Sequence, residues 1–138
     1  MGKRSDVEKP KVLIVEDDTD ISAVVGLALE DFFDMTVART PGDAVLALRA
    51  EQFELVLLDW RLGNACGSEV LEEIDRLDGA PRPQVVITSG GSDDSLQEAL
   101  QSSDVHMLPK PYQLYDLIKT VTRLLATKPS PGAKPSRE

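Results

Sequence analysis

The chain has 138 residues, 41% of them hydrophobic, and a net charge of −9 from 24 acidic and 15 basic side chains. That length fits one domain with its own core, and the acidic balance disfavours binding along a phosphate backbone. No run approaches the roughly 20 apolar residues of a membrane span. The charged N-terminus lacks the apolar centre of a secretory signal, and the lone Cys66 reads as a reduced thiol. A cytoplasmic protein with no nucleic-acid or membrane partner is therefore expected.

Residues 1–9 read as a disordered leader, 10–126 as the folded unit, and 127–138 as a disordered tail rich in Pro, Ser and Lys. The unit opens with Lys11-Val-Leu-Ile-Val-Glu-Asp-Asp18, an unbroken apolar run of the kind buried on both faces of a parallel sheet. It ends in three acids. Strands are expected at Val12–Val15, Thr36–Ala38, Leu55–Leu58, Val85–Thr88 and Val105–Leu108, with helices between them. The first helix spans about Thr19 to Phe33, with Ile21, Val24, Val25, Ala28 and Phe32 at helical spacing. The second starts at Thr40-Pro-Gly-Asp43, which offers an N-cap, a proline at the first helical position and an acid to close a capping box.

A third helix follows Gly67-Ser68 to about Leu77, with Asp78-Gly79, Pro81 and Pro83 marking its exit. A fourth, from Asp93 to about Ser102, has only Leu96, Ala99 and Leu100 as apolar anchors, so it should be the least firmly packed and the most mobile. The last spans about Gln113 to Leu125 and presents Leu114, Leu117, Ile118, Val121 and Leu125. Alternating strands and helices imply a doubly wound α/β sandwich of three layers, flavodoxin-like, around a five-stranded parallel sheet of order 2-1-3-4-5.

In such a sheet, ligands bind beyond the carboxyl ends of the strands. Glu16 and Asp17 end the first strand, Asp59 the third and Thr88 the fourth, while Lys110 follows the fifth. Three carboxylates in one crevice repel unless a cation joins them, which calls for Mg²⁺ or Mn²⁺ and a nearby lysine. Together these residues form a kit for phosphoryl transfer, a reaction that asks for positioning and charge neutralisation. Asp59 can attack phosphorus, Glu16 and Asp17 can hold the metal, and Lys110 and Thr88 can contact phosphoryl oxygens.

With these residues the chain resembles the receiver domain of two-component response regulators, over roughly residues 11 to 126. The family's acidic pair falls on Glu16 and Asp17, its phosphoacceptor on Asp59, its hydroxyl residue on Thr88, and its lysine and usually cis proline on Lys110 and Pro111. Gly67 stands at the expected glycine, and the Arg61 carbonyl would complete the metal site. The resemblance implies a self-modifying, Mg²⁺-dependent acceptor that is not a turnover enzyme. A histidine kinase or histidine phosphotransfer protein would supply the phosphoryl group, and a downstream protein would receive the signal. Homodimerisation through the last two helices is a further option. Three places depart from the family pattern: Gly63 replaces a common proline, which implies a freer loop from Trp60 to Cys66, Met107 replaces the aromatic switch residue that partners Thr88, and Ser103-Asp104 stands where a Gly-Ala pair is common, before the fifth strand.

Taken singly, each signal has a plainer explanation. Asp18 fits an acid favoured at a helix N-terminus, His106 a structural strand residue, and Trp60 a packing residue as readily as a site wall. Joint occurrence at successive strand ends outweighs those readings. One alternative is a receiver-like binding module with a vestigial site. Another is an aspartyl-phosphate phosphatase, which needs an acid two residues after the nucleophile where this chain has Arg61.

Overall fold

The computed structural model describes residues 9–77, 81–91, 93–102 and 104–126. The expected leader, apart from Lys9, and the expected tail lie outside the described residues, as does the Asp78-Gly79 helix exit. Twelve elements follow in chain order: β1 (Lys11–Val15), α1 (Thr19–Leu29), β2 (Asp34–Ala38), α2 (Pro41–Ala50), β3 (Leu55–Asp59), β4 (Arg61–Leu62), β5 (Ala65–Cys66), α3 (Ser68–Asp75), β6 (Gln84–Ser89), α4 (Asp94–Ser102), β7 (His106–Pro109) and α5 (Leu114–Ala126).

Five of the strands form one sheet in the order β2-β1-β3-β6-β7, every pair parallel. This is the expected 2-1-3-4-5 arrangement. The central strand β3 is buried along its whole length, as its unbroken Leu-Val-Leu-Leu run requires of a strand covered on both faces. Side chains alternate across the sheet and feed two cores. Leu13, Val15, Val56, Leu58, Val85 and Ile87 meet α2, α3 and α4 on one side. On the other side, Val12, Ile14, Leu55, Leu57 and Val86 meet α1 and α5.

Helix starts follow their capping chemistry. The Asp18 carboxylate accepts from the Asp20 and Ile21 N–H groups at 2.9 and 3.2 Å, and Thr40 Oγ1 accepts from the Asp43 N–H at 3.1 Å. Asp93 caps α4, accepting from the Leu96 N–H at 2.8 Å.

Three expectations are corrected. Helix α1 ends at Leu29, and its inward stripe is Ser22, Val25 and Leu29; Val24 is 48% exposed and Phe32 62% exposed. The helix is apolar almost all round, so spacing alone could not choose its face. On α5 the buried stripe is Leu117, Val121 and Leu124, with the expected Ile118 and Leu125 packed against it; of the expected residues only Leu114, in the first turn, stays exposed. Between Trp60 and Cys66 the chain does not run as an open loop. It folds into an antiparallel ribbon, β4 on β5, pairing Arg61 with Cys66 and Leu62 with Ala65. Gly63, at φ +63°, supplies the left-handed turn residue that a two-residue hairpin demands.

Candidate functional site

The parallel strands deliver the polar residues to one edge. Glu16 follows β1, and its N–H continues the ladder by donating to the Ala38 carbonyl at 3.0 Å. Asp59 is the last residue of β3 and lies in register with Thr88 of β6. Lys110 follows β7, where its N–H donates to the Ser89 carbonyl at 2.8 Å. Backbone pairing that begins deep in the core thus fixes where four side chains start.

Glu16, Asp17 and Asp59 each place a carboxylate oxygen within 4.8 Å of the others. Glu16 is 4% exposed, Asp59 6% and Thr88 2%, while Asp17 faces solvent. Lys110 Nζ stands 3.4 Å from both Glu16 Oε1 and Asp59 Oδ2, and among the described residues it is the one cation that bridges these two buried acids. Other donors help to orient them: the Arg61 N–H donates to Asp59 Oδ1 at 3.3 Å, and the Asp18 N–H to Glu16 Oε2 at 3.3 Å. The Lys110–Pro111 bond is cis. A Cβ built on Gly63 would lie 3.8 Å from Asp17 Oδ2, so the ribbon turn closes over the acid cluster without crowding it.

Burial pushes the Glu16 carboxyl up to about 7, with a hydrogen bond to Asp59 and its charge adding to the rise; Lys110 and the Asp18 N–H pull it part of the way back. Burial opposes the Lys110 charge, yet the two facing carboxylates outweigh it and hold the ammonium above its ordinary range. Tyr112 is also raised, first by burial and then by Glu16 and Asp59 against the lowering effect of Lys110. A crevice in which burial and a neighbouring carboxylate both disfavour the charged form of Glu16 is suited to a divalent cation with oxygen ligands.

The predicted residues therefore converge, with differences in detail. Arg61 is exposed, with its backbone beside the acids. Met107 is half-buried in β7 in register with Ile87, and packs into the core on the α2–α4 side. Trp60 takes the packing role: it is 2% exposed in the core on the α2–α4 side, and its Nε1 donates to Ser95 Oγ at 3.1 Å. Sequence reasoning missed this bond, because Ser95 lies 35 residues away and carries no motif. It also missed the β4–β5 ribbon, whose Gly63-Asn64 pair was a readable hairpin signal.

The sequence matches the family described as response regulator receiver domain over residues 12–122. The chain belongs to that family. It is 30% identical over 123 residues to a transcriptional regulatory protein, a CpxR homologue of Haemophilus influenzae, covering 88% of this chain and 53% of that protein. A response regulator receiver protein of Anaeromyxobacter is 32% identical over 102 residues, covering 73% of this chain and 42% of the relative. The chain thus spans about half the length of these relatives.

Among solved structures, a CheY-like receiver domain protein from Methanospirillum hungatei superposes with a TM-score of 0.76 at 26% identity, covering 86% of this chain and 95% of that one. The receiver domain of a Pseudomonas aeruginosa sensor histidine kinase, crystallised with magnesium in its active-site cleft, shares the fold with a TM-score of 0.75 at 21% identity, covering 86% and 98%. Receiver domains are signalling modules that bind Mg²⁺ and work with histidine kinases and downstream effectors. Among the described residues no helix is long and apolar enough to cross a membrane.

Proposed function

We propose that this receiver accepts a phosphoryl group on Asp59 from a phosphohistidine of a kinase or phosphotransfer protein, working in the cytoplasm. The observation that carries this reading is the buried pair Glu16 and Asp59 bridged by Lys110 at 3.4 Å to each, with Asp17 completing the acid cluster. Glu16, Asp17, Asp59 and the Arg61 carbonyl would hold Mg²⁺ or Mn²⁺. When bound, the cation neutralises charge on the transferring phosphoryl oxygens.

An Asp59 carboxylate oxygen attacks phosphorus in line, the P–N bond to the donor imidazole breaks, and a mixed anhydride forms on Asp59. The Lys110 ammonium neutralises one phosphoryl oxygen and the Thr88 hydroxyl donates a hydrogen bond to another. In this reading Thr88 and Met107 are the residues that respond to the new group. Signal output passes by protein contact to a downstream target.

Intact mass after incubation with Mg²⁺ and acetyl phosphate tests the reading, beside Asp59→Asn. Gain of one phosphoryl group by the parent alone is expected; no gain in a folded parent would overturn the reading in favour of a module that binds partners unmodified. Arg61 and Gly90, both exposed, offer no acid or amide to orient an attacking water. The acyl phosphate should therefore persist, and loss of label within seconds would contradict this.

A further inference from the structure

Trp60 occupies a junction that the acid cluster does not account for. Its backbone N–H donates to the Thr88 carbonyl at 2.9 Å, and its carbonyl accepts from the Gly67 N–H at 2.8 Å. The peptide directly after Asp59 is thus tied to β6 and to the start of α3. The indole packs so closely over Gly67 that a Cβ there would meet Trp60 Cε3 at 2.9 Å.

The side chain extends the connection. Trp60 Nε1 donates to Ser95 Oγ at 3.1 Å, and Ser95 Oγ donates to Asp93 Oδ1 at 2.8 Å. The same carboxylate oxygen accepts the Leu96 N–H at 2.8 Å and so caps α4. An indole has one donor, and leaving it unpaired when buried is unfavourable, so the ring and Ser95 should move together. Helix α4 has few anchors to resist such movement: among its described residues only Leu96 and Ala99 are buried. Met107 packs into the same core cluster as Trp60 and has no hydroxyl or ring donor with which to make a comparable bond.

We propose that Trp60 and Ser95 are positioning residues that couple the state of Asp59 to the N-terminus of α4 through the Trp60–Ser95–Asp93 hydrogen-bond chain. This rests on the phosphoacceptor reading and adds the route by which phosphorylation leaves the site. A phosphoryl group on Asp59 shifts the peptide that follows it, the indole carries the shift to Ser95, and the α4 cap responds. Coupling of this kind is reciprocal, so a partner that grips the start of α4 alters the energetics of the phosphorylated site equally.

The test is amide hydrogen exchange at Leu96 and Gln97, before and after Mg²⁺ with acetyl phosphate, in the parent, Ser95→Ala and Trp60→Phe, with intact mass counting phosphoryl groups. In the parent, phosphorylation should change these exchange rates by about threefold or more, the scale of one net hydrogen bond. In both variants the mass gain should persist and the exchange ratio fall to near unity. Ser95→Ala keeps the Asp93 cap and should fold if Trp60→Phe does not. An undiminished response in Ser95→Ala, no response in a fully phosphorylated parent, or loss of the mass gain in Ser95→Ala would each overturn the coupling alone. No mass gain in the parent would overturn the phosphoacceptor reading and the coupling with it.

Discussion

The two edges of the sheet are built from opposite materials. At the carboxyl edge Glu16, Asp59 and Thr88 are buried, and one lysine faces two carboxylates. At the amino edge, where β1 begins, Lys11 pairs with Glu51 across side chains that stay 46% and 38% exposed. Water solvates the second pair, so its charges cost little and contribute little. The first set is taken out of water with its charges unbalanced, an arrangement that stability does not favour and that ligand binding does. If this contrast is correct, perturbing the carboxyl edge should have large effects whose sign can be stated in advance, and perturbing the amino edge almost none.

Close packing at the carboxyl edge gives the largest expected effect. A methyl added at Gly67 would stand 2.9 Å from Trp60 Cε3 and 3.0 Å from Leu58 Cγ, both on buried side chains. Gly67→Ala should destabilise the fold by about 3 kcal/mol in urea unfolding, the upper range for overpacking. A change below about 0.5 kcal/mol would show that the junction has slack.

Glu16 gives the next effect, with a definite sign. Its folded carboxyl titrates near 7 against an ordinary value of 4.5, so the folded protein keeps a proton that the unfolded chain releases. That stabilisation is complete below about 4.5 and is lost as pH rises through about 7. Without Mg²⁺, the protein should be about 2 kcal/mol more stable at pH 5 than at pH 8, taking roughly 1.4 kcal/mol per unit and discounting for the coupling to Asp59. Saturating Mg²⁺ favours the carboxylate form and should raise the melting temperature at pH 8 more than at pH 5. Melting curves that show the same pH slope with and without Mg²⁺ would dissociate the proton from the metal site.

Removing one of the crowded charges comes third. Asp59→Asn leaves Lys110 facing a single carboxylate and should stabilise the fold by about 1 kcal/mol. It should also shrink the pH slope, because Asp59 is one of the groups holding the Glu16 proton. Destabilisation in urea would mean that the Asp59 charge is already fully compensated.

The legible parts of this molecule were those written in local sequence. Runs such as Lys11–Val15 and Leu55–Asp59 announce strands covered on both faces, and an acid placed at the end of such a run can only arrive at the carboxyl edge. The Thr40 and Asp18 caps were similarly readable because capping involves neighbours two or three residues apart. What stayed hidden depends on contacts between distant segments. In α1 the residues Val24, Val25, Leu27 and Leu29 are all apolar, so only the docked sheet decides that Val25 and Leu29 turn inward. Trp60 was ambiguous for the same reason, its partner Ser95 belonging to a different βα unit. The crowding of Glu16, Asp17 and Asp59 was visible in sequence, but the burial that contributes most to raising the Glu16 carboxyl was not.

The smallest effect is the one that gives the contrast its control. Glu51 ends α2 at the amino edge, and its partner Lys11 opens β1, so the pair joins a helix to the sheet just as Lys110 joins β7 to β1 and β3 at the other edge. Geometry alone would therefore rank the two alike. Exposure separates them, because solvent and salt screen the Lys11–Glu51 attraction and rotamer entropy offsets what remains. Glu51→Ala should change stability by no more than about 0.5 kcal/mol, and the change should vanish in high salt. Lys110→Ala, by contrast, should alter the pH dependence of stability even in high salt, because its partners are shielded from the counterions that would replace it. Equal salt sensitivity of the two variants would erase the distinction between the edges, and with it the argument that the carboxyl edge holds its charges for binding.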